Sequence, residues 1–460
     1  MQMQAGVVEM ERDAIQRIAD FDEVDLGFSE QEARAEAARC IQCKKPTCVD
    51  GCPIGVDIPA FIHACGIGKF REAARIIRKD NMFPAICGRV CPQETQCQGA
   101  CVLGKKNVPI SIGHLERFIA DWERDEGIET PMRDSTTRKK IAVVGSGPAG
   151  LAAASELARL GHTVTVFESL HEAGGVLMYG IPSFRLPKEI VQTEIEQVKK
   201  LGVEIKTNYV VGRSVPIDEL LDYDAIFLGT GAGLPHFIGL PGENLCGIYS
   251  ANELLTRVNL MGAHRFPEMD TPVKKGKKVV VIGGGNVAMD AARVARRMGA
   301  AVTLMYRRQE ADMPARMEEV RHAKEEGIEF LFCTNPVAFI EGENKKVIGI
   351  EAIRMKRDCR DANGRCSYTP IDGSNFTIAA DMVVEAIGQD TNPLLLRMLP
   401  NLSHNKNGSV TISDHGRTSI PKVYAGGDVA IGAATVILAM GTAKKAAQEI
   451  NKMLCESSEF

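Results

Sequence analysis

Lys139-Lys140-Ile141-Ala142-Val143-Val144-Gly145-Ser146-Gly147-Pro148-Ala149-Gly150 reads as a buried parallel strand running into a glycine turn. An alanine-rich helix and a second strand, Thr163 to Phe167, follow, and Glu168 ends that strand. The same order recurs over 277–308, where the turn is Gly283-Gly284-Gly285-Asn286-Val287-Ala288 and the next strand ends at Arg307 and Arg308. A GxGxxG run alone is weak; set between a buried strand and a helix it marks a dinucleotide-binding turn. The glycines allow the tight turn and let the backbone approach a pyrophosphate seated on the helix N-terminus. Two such turns imply two nucleotides.

The charged strand ends tell the two sites apart. Glu168 is placed to accept from an adenosine ribose hydroxyl and would repel a 2′-phosphate, whereas Arg307 and Arg308 would bind one bidentately. The first site fits FAD and the second NADPH, against the plainer reading of the arginines as a solvated strand end. Near the C-terminus, Gly427-Asp428-Val-Ala-Ile-Gly432-Ala-Ala-Thr435 places Asp428 at the start of the last helix. A carboxylate there would bind a ribityl hydroxyl, and the helix N-terminus would stabilise a reduced, anionic flavin. An ordinary N-cap would use the same residue. Gly427 and Thr435 are counted with this site. Gly174-Gly175-Val-Leu-Met-Tyr-Gly180-Ile-Pro-Ser-Phe-Arg185 is too glycine-rich for a helix and is expected against the isoalloxazine, with Gly175 and Gly180 in contact.

Upstream stand two four-cysteine runs: Cys40, Cys43, Cys48 and Cys52-Pro53, then Cys87, Cys91-Pro92, Cys97 and Cys101. Zinc modules usually offer two CxxC knuckles, often with histidine. Tight runs ending in Cys-Pro suit cubane iron–sulfur clusters, in which the fourth cysteine serves the other cluster. A redox dithiol at Cys40–Cys43 sits poorly with further cysteines so close. Cys65, Cys246, Cys333, Cys359, Cys366 and Cys455 read as ordinary residues, and structural disulfides are not expected of a cytosolic chain. A capping-box pattern at Ser29 and Glu32 opens a helix through 39 that would deliver Cys40 and Cys43. Residues 57–80 and about 111–123 look helical, and 125–138 reads as a linker.

With 55 basic against 59 acidic residues among 460, the net charge of −4 argues against a nucleic-acid partner. The N-terminus lacks an export signal, and no apolar run reaches membrane-spanning length. A cytoplasmic chain with no membrane partner is expected.

The cysteine module, Gly145-Ser-Gly-Pro-Ala-Gly150, the Gly174–Pro182 loop, Gly283-Gly-Gly-Asn-Val-Ala-Met-Asp290, Tyr306-Arg-Arg308 and Ala425-Gly-Gly-Asp428 together resemble the glutamate synthase small (β) subunit family. The resemblance runs from about residue 30 to 450. The chain is similar as well to the large subunit of NADH-dependent reduced ferredoxin:NADP+ oxidoreductase, an electron-bifurcating enzyme. Sulfide dehydrogenase α subunits and the N-terminal part of dihydropyrimidine dehydrogenase share the plan. The resemblance implies FAD, NADPH and two [4Fe–4S] clusters with crossed ligation. Cys40, Cys43, Cys48 and Cys101 would hold one cluster; Cys52, Cys91, Cys97 and Glu116 would hold the other, with Cys87 a non-ligand. The simpler scheme gives each run its own cluster and leaves Glu116 on a helix surface.

The implied reaction is hydride transfer from NADPH to FAD, then single-electron steps through the clusters to a partner, with no side-chain acid or base required. That partner would be the glutamate synthase large subunit, a second flavoprotein or ferredoxin. A self-sufficient NADPH oxidoreductase and an assembly role for the cysteine module are the alternatives. The expected architecture is α/β: two nested Rossmann-like nucleotide-binding domains, glutathione-reductase-like, preceded by an α-helical double-cluster ferredoxin-like module. The expected divisions are the module at 1–130, the FAD-binding domain at 138–250 and 386–460, and the inserted NADPH-binding domain at 251–385.

Overall fold

The computed structural model describes residues 10–105, 108–130, 132–358 and 366–456; Cys359 and the first nine residues lie outside them. Ile141, Ala142 and Val143 are fully buried, as a strand covered on both faces requires. Lys140–Val144 pairs in parallel with Thr163–Phe167 on one side and with Ala225–Leu228 on the other. Glu204–Lys206 extends one edge of this sheet, and Val423–Ala425, from far along the chain, closes the other.

A second parallel sheet runs in the order Ile248–Ser250, Met382–Glu385, Lys278–Ile282, Ala301–Met305, Glu329–Leu331. The chain leaves the first sheet, builds the second and returns, which is the nesting read from the motifs. This sheet already takes in Ile248–Ser250, ahead of the division expected at 251. An antiparallel sheet of Thr334–Glu341, Val347–Asp358, Ser367–Pro370 and Phe376–Ala379 covers one of its faces, with Phe339, Val347 and Ile350 packed on Val280, Ile282 and Val383. The motifs gave no sign of this layer. Where the chain passes between the units, Leu234–Pro235 pairs antiparallel with Gln389–Asp390.

The N-terminal module is helical. Ser29 and Glu32 form both arms of a capping box on the helix Glu30–Ala38. The stretch 57–80 is two helices, Ile58–Gly66 and Phe70–Asp80, because Gly68 turns the chain between them at φ +77. Helices Pro84–Val90 and Ile112–Glu126 cross at Gly88, where a Cβ would lie 2.7 Å from the Arg117 nitrogen. Phe61, Ile77, Ile86, Leu115 and Ile119 fill the centre. Arg78 ties the module to the first unit: Nε donates to Glu123 at 2.5 Å and Nη1 to Glu194 of the helix Lys188–Lys200 at 3.2 Å. Arg316 ties it to the second unit through the Arg89 carbonyl and Gln93. No helix among the described residues is long and apolar enough to cross a membrane.

Candidate active site

One cavity of about 1460 Å³ spans the C-terminal ends of both parallel sheets. Gly145, Gly147, Ala149, Glu168, Gly175, Gly180, Asp428 and Thr435 line it from the first unit, and Gly283, Gly285, Asn286, Val287, Arg307 and Arg308 from the second. Gly150 and Gly427 do not reach it. They lie beneath the wall: a Cβ on Gly150 would sit 1.9 Å from the Gly145 oxygen, and one on Gly427 2.6 Å from the Ala149 Cβ. The middle glycines behave oppositely. A Cβ on Gly147 or Gly285 would meet nothing within 4 Å, so no packing demands glycine there. Each opens a helix, Pro148–Arg159 or Asn286–Arg297, and the room a side chain would take is the cavity itself. That is the cradle a pyrophosphate needs.

Glu168 is buried and accepts from the Ser146 N–H at 2.9 Å, the Ser146 hydroxyl at 2.6 Å and the Leu170 N–H at 2.8 Å. It therefore braces the first glycine turn as well as facing the cavity. Arg307 and Arg308 are exposed at the cavity wall after Ala301–Met305. Asn286 Oδ1 accepts from the Arg316 N–H at 2.9 Å.

Two local expectations are corrected. The loop after Gly174 does contain a helical turn, Val176–Tyr179, entered through Gly175 at φ +53. Its carbonyls are held from behind. Lys188 Nζ donates to the Leu177 oxygen at 2.9 Å and also to Ile181, and Asn259 Nδ2 donates to Tyr179 and Gly180, both at 3.1 Å. Burial lowers Lys188 to about 7 and raises Tyr179 to about 12. Asp428, in turn, does not begin the final helix. It opens a short turn, Asp428–Ile431, that Gly432 ends at φ +79; the final helix is Val436–Glu456, with the Leu438 N–H donating to Thr435 Oγ1 at 3.3 Å. The helix N-terminus at this wall thus belongs to Thr435. Asp428 accepts from the Ala434 N–H at 3.3 Å, and burial raises it to about 6.

The cysteines gather into two sets that cut across the sequence runs. Cys40, Cys43, Cys48 and Cys101 line one small cavity. Thr47 Oγ1 donates to the Ala100 carbonyl at 2.6 Å, which brings the end of the second run to the first. Burial, then Cys101 and Cys40, raise the Cys48 thiol to about 11. Burial raises the Cys52 and Cys97 thiols, Cys87 and burial raise Cys91, and the Glu116 carboxyl adds to all three. Glu116 itself is pushed to about 7 by burial, and it accepts from Asn81 Nδ2 at 2.8 Å. The Cys87 thiol donates to Asn81 Oδ1 at 3.7 Å and packs with its sulfur 3.8 Å from Met440 of the final helix.

Zinc held at about 2.3 Å by each sulfur would draw thiols to within about 4 Å of one another. Among the described residues the only set of three potential ligand atoms within 4.8 Å is Glu11, His322 and Glu325. There Arg17 and Arg321 already pair with the carboxylates, so that set clamps the N-terminal segment with salt bridges. The wider thiol sets have the donor chemistry of iron–sulfur sites. Cys366 is disulfide-bonded, which corrects both its reading as an ordinary residue and the expectation of no structural disulfide.

Several residues at these sites were not singled out from sequence: Asn81 and Asn259 reach residues far along the chain, Lys188 grips carbonyls of the loop just before it, and Glu385 is set apart by its burial. Glu385 left the clearest trace, a lone charge inside the apolar run Met-Val-Val-Glu-Ala-Ile. Arg185 and Asp290, both within quoted motifs, meet across the units with Arg185 Nη1 2.8 Å from each Asp290 oxygen.

Residues 139–449 match the pyridine nucleotide-disulphide oxidoreductase family, and residues 17–128 match dihydropyrimidine dehydrogenase domain II, 4Fe-4S cluster. Fold, cavity and thiol sets thus define the class: a pyridine-nucleotide-dependent flavin and iron–sulfur oxidoreductase. Over 447 residues the chain is 38% identical to the glutamate synthase [NADPH] small chain of Escherichia coli (strain K12), covering 95% of each. The chain belongs to the glutamate synthase small-chain family, and FAD, NADPH and 4Fe–4S clusters are its cofactors. It is also 39% identical over 434 residues to the β subunit of NADP(+)-dependent formate dehydrogenase from Moorella thermoacetica, covering 88% of this chain and 60% of that one. Mycobacterium tuberculosis FprA in complex with NADPH shares the fold, with a TM-score of 0.59 at 23% identity over 70% of this chain and 86% of that one.

Proposed function

We propose that the chain is the electron-input subunit of a larger enzyme, taking hydride from NADPH and passing single electrons to a protein partner, as the small subunit of glutamate synthase. One observation carries the reading: a single cavity holds both glycine turns, and Val90 and Pro92, the neighbours of Cys91, form part of its wall. When bound, flavin converts a hydride into single electrons and iron–sulfur clusters carry them.

The residues divide that work. Arg307 and Arg308 clamp a 2′-phosphate, and the backbone at Gly285 seats a pyrophosphate. Glu168, Gly147 and Asp428 hold the flavin nucleotide, while the N-terminus at Thr435 offers positive potential to developing negative charge. The turn Val176–Tyr179, fixed by Lys188 and Asn259, shapes the floor. Cys52, Cys91, Cys97 and Glu116 would hold the cluster nearer the cavity. Cys40, Cys43, Cys48 and Cys101, half-buried beneath the exposed Ile41 and Val102, would hold the one nearer the partner. Thiol ligands of this kind suit a cytoplasmic location, where cysteines stay reduced.

Anaerobic native purification, with mass spectrometry of every co-purifying chain, tests the reading. A partner of roughly three times this mass, carrying an N-terminal cysteine nucleophile, is expected. A smaller flavoprotein partner would replace glutamate synthase with ferredoxin:NADP+ or sulfide dehydrogenase chemistry. A solitary chain that oxidises NADPH would remove the subunit reading.

A further inference from the structure

Phe184 and Arg185 belong to the first unit by chain order, between its strands Thr163–Phe167 and Glu204–Lys206, yet both side chains end in the second. Phe184 is buried, and it packs in one core with Ala251, Leu254, Met289 and Ala292. The Arg293 and Arg297 guanidinium groups lie 4.6 and 3.8 Å from its ring centroid. Arg185 Nη1 stands 2.8 Å from each Asp290 oxygen, and its Nε pairs with Glu319 Oε1 at 2.9 Å. The Arg185 and Asp290 side chains are only 7% and 5% exposed.

Asp290, Arg293 and Arg297 all lie on the helix Asn286–Arg297, which opens at Gly285. That helix seats the second nucleotide, whereas the turn Val176–Tyr179, a few residues before Phe184, lies at the floor of the first site. The segment between them is held from the second unit at both ends, because Asn259 grips the Tyr179 and Gly180 carbonyls. One short stretch of chain therefore joins the flavin floor to the helix that carries NADPH. Turning either unit against the other would draw Phe184 out of an apolar core and leave Arg185, Asp290 and Glu319 as buried charges with fewer partners. Hydride transfer tolerates no such play: reacting atoms must stand about 3–3.5 Å apart, and a misplacement of about 1 Å can cost about a hundredfold in rate.

We propose that Phe184 and Arg185 form a latch that fixes the two nucleotide units in the orientation for hydride transfer, with Arg185 a positioning residue that acts through Asp290. The proposal rests on the NADPH reading above, and the test separates the two. The cofactor-loaded wild type is compared anaerobically with Arg185→Met, Asp290→Asn and the double variant. At saturating NADPH, flavin bleaching in stopped-flow absorbance should slow about tenfold to a hundredfold in each single variant and little further in the double. NADP+ affinity, measured by calorimetry, should stay within about threefold of wild type, because the latch orients the nucleotide and does not hold it. Solution X-ray scattering gives a readout apart from turnover: the wild-type profile should be the same with and without NADP+, and the Arg185→Met profile should change when NADP+ binds. An unchanged bleaching rate, an affinity lost in proportion to the rate, or a wild-type profile that changes on binding would overturn the proposal. Should Arg185→Met not fold, Arg185→Lys, which keeps the charge and loses the planar fork, decides by the same comparison. A wild type that neither binds NADP+ nor is reduced by NADPH would bring down the NADPH reading together with this inference.

Discussion

Asn81 and Glu116 stand 35 positions apart, yet the Asn81 amide donates to the Glu116 carboxyl at 2.8 Å while its own oxygen accepts from the Phe83 N–H. A buried asparagine thus fixes the orientation of the half-buried Glu116 carboxyl. Glu385 is the other carboxyl whose surroundings set its chemistry, and it allows a prediction with a definite sign. Its folded pKa lies near 7, above the ordinary 4.5, so the fold favours the neutral form. As pH rises from about 4.5 to about 7 the unfolded chain releases that proton and the folded chain keeps it, so stability falls across that window and levels off above it. The loss is on the order of 2 kcal/mol. Glu385→Leu removes it. The difference in thermal unfolding midpoint between variant and wild type, measured on the flavin-free chain, should grow in favour of the variant from about pH 5 to about pH 7. A difference independent of pH would show that Glu385 titrates normally.

At the scale of elements, the two glycine turns are built alike but their glycines do different work. Gly150 lies under the turn with no space for a Cβ, whereas Gly147 has extended backbone, φ −69 and ψ −176, and open room. Gly150→Ala should cost about 3 kcal/mol of stability through forced overpacking. Gly147→Ala should leave the flavin-free chain within about 1 kcal/mol of wild type and weaken FAD by about tenfold, because the methyl occupies the phosphate cradle. Thermal unfolding and fluorescence titration with FAD read the two effects separately. Loss of stability in Gly147→Ala, or unchanged FAD affinity, would count against the cradle.

At the scale of the whole molecule, the cluster module must stay seated on the flavin unit for electrons to leave it. Arg78 bridges them, buried between Glu123 and Glu194, whose carboxylate also accepts from the Ala85 N–H at 3.3 Å. Removing one member of such a group strands the other charges in low dielectric. Arg78→Ala should cost about 3–5 kcal/mol in urea unfolding. In stopped-flow absorbance it should slow reduction of the clusters while NADPH still reduces the flavin. A cost under about 1 kcal/mol, or both reductions slowed alike, would show that Arg78 is not the seat of the module.

What sequence alone determined is short-ranged. Strand–turn–helix order, glycines at backbone approaches and charged strand ends all act within a few residues, and so Gly147, Gly285, Glu168 and Arg307 could be picked out before any fold was seen. The Ser29–Glu32 capping box is local in the same sense, and it formed as read. Only the tertiary structure brought Cys101 to Cys40 rather than to Cys97, because that choice depends on how helices cross at Gly88 and how Thr47 grips the Ala100 carbonyl. It also moved the final helix start from Asp428 to Val436, added the antiparallel layer and buried Glu385. These are properties of burial and long-range contact. A side chain's desolvation and its partners depend on surfaces contributed from far along the chain, and no window of sequence contains them.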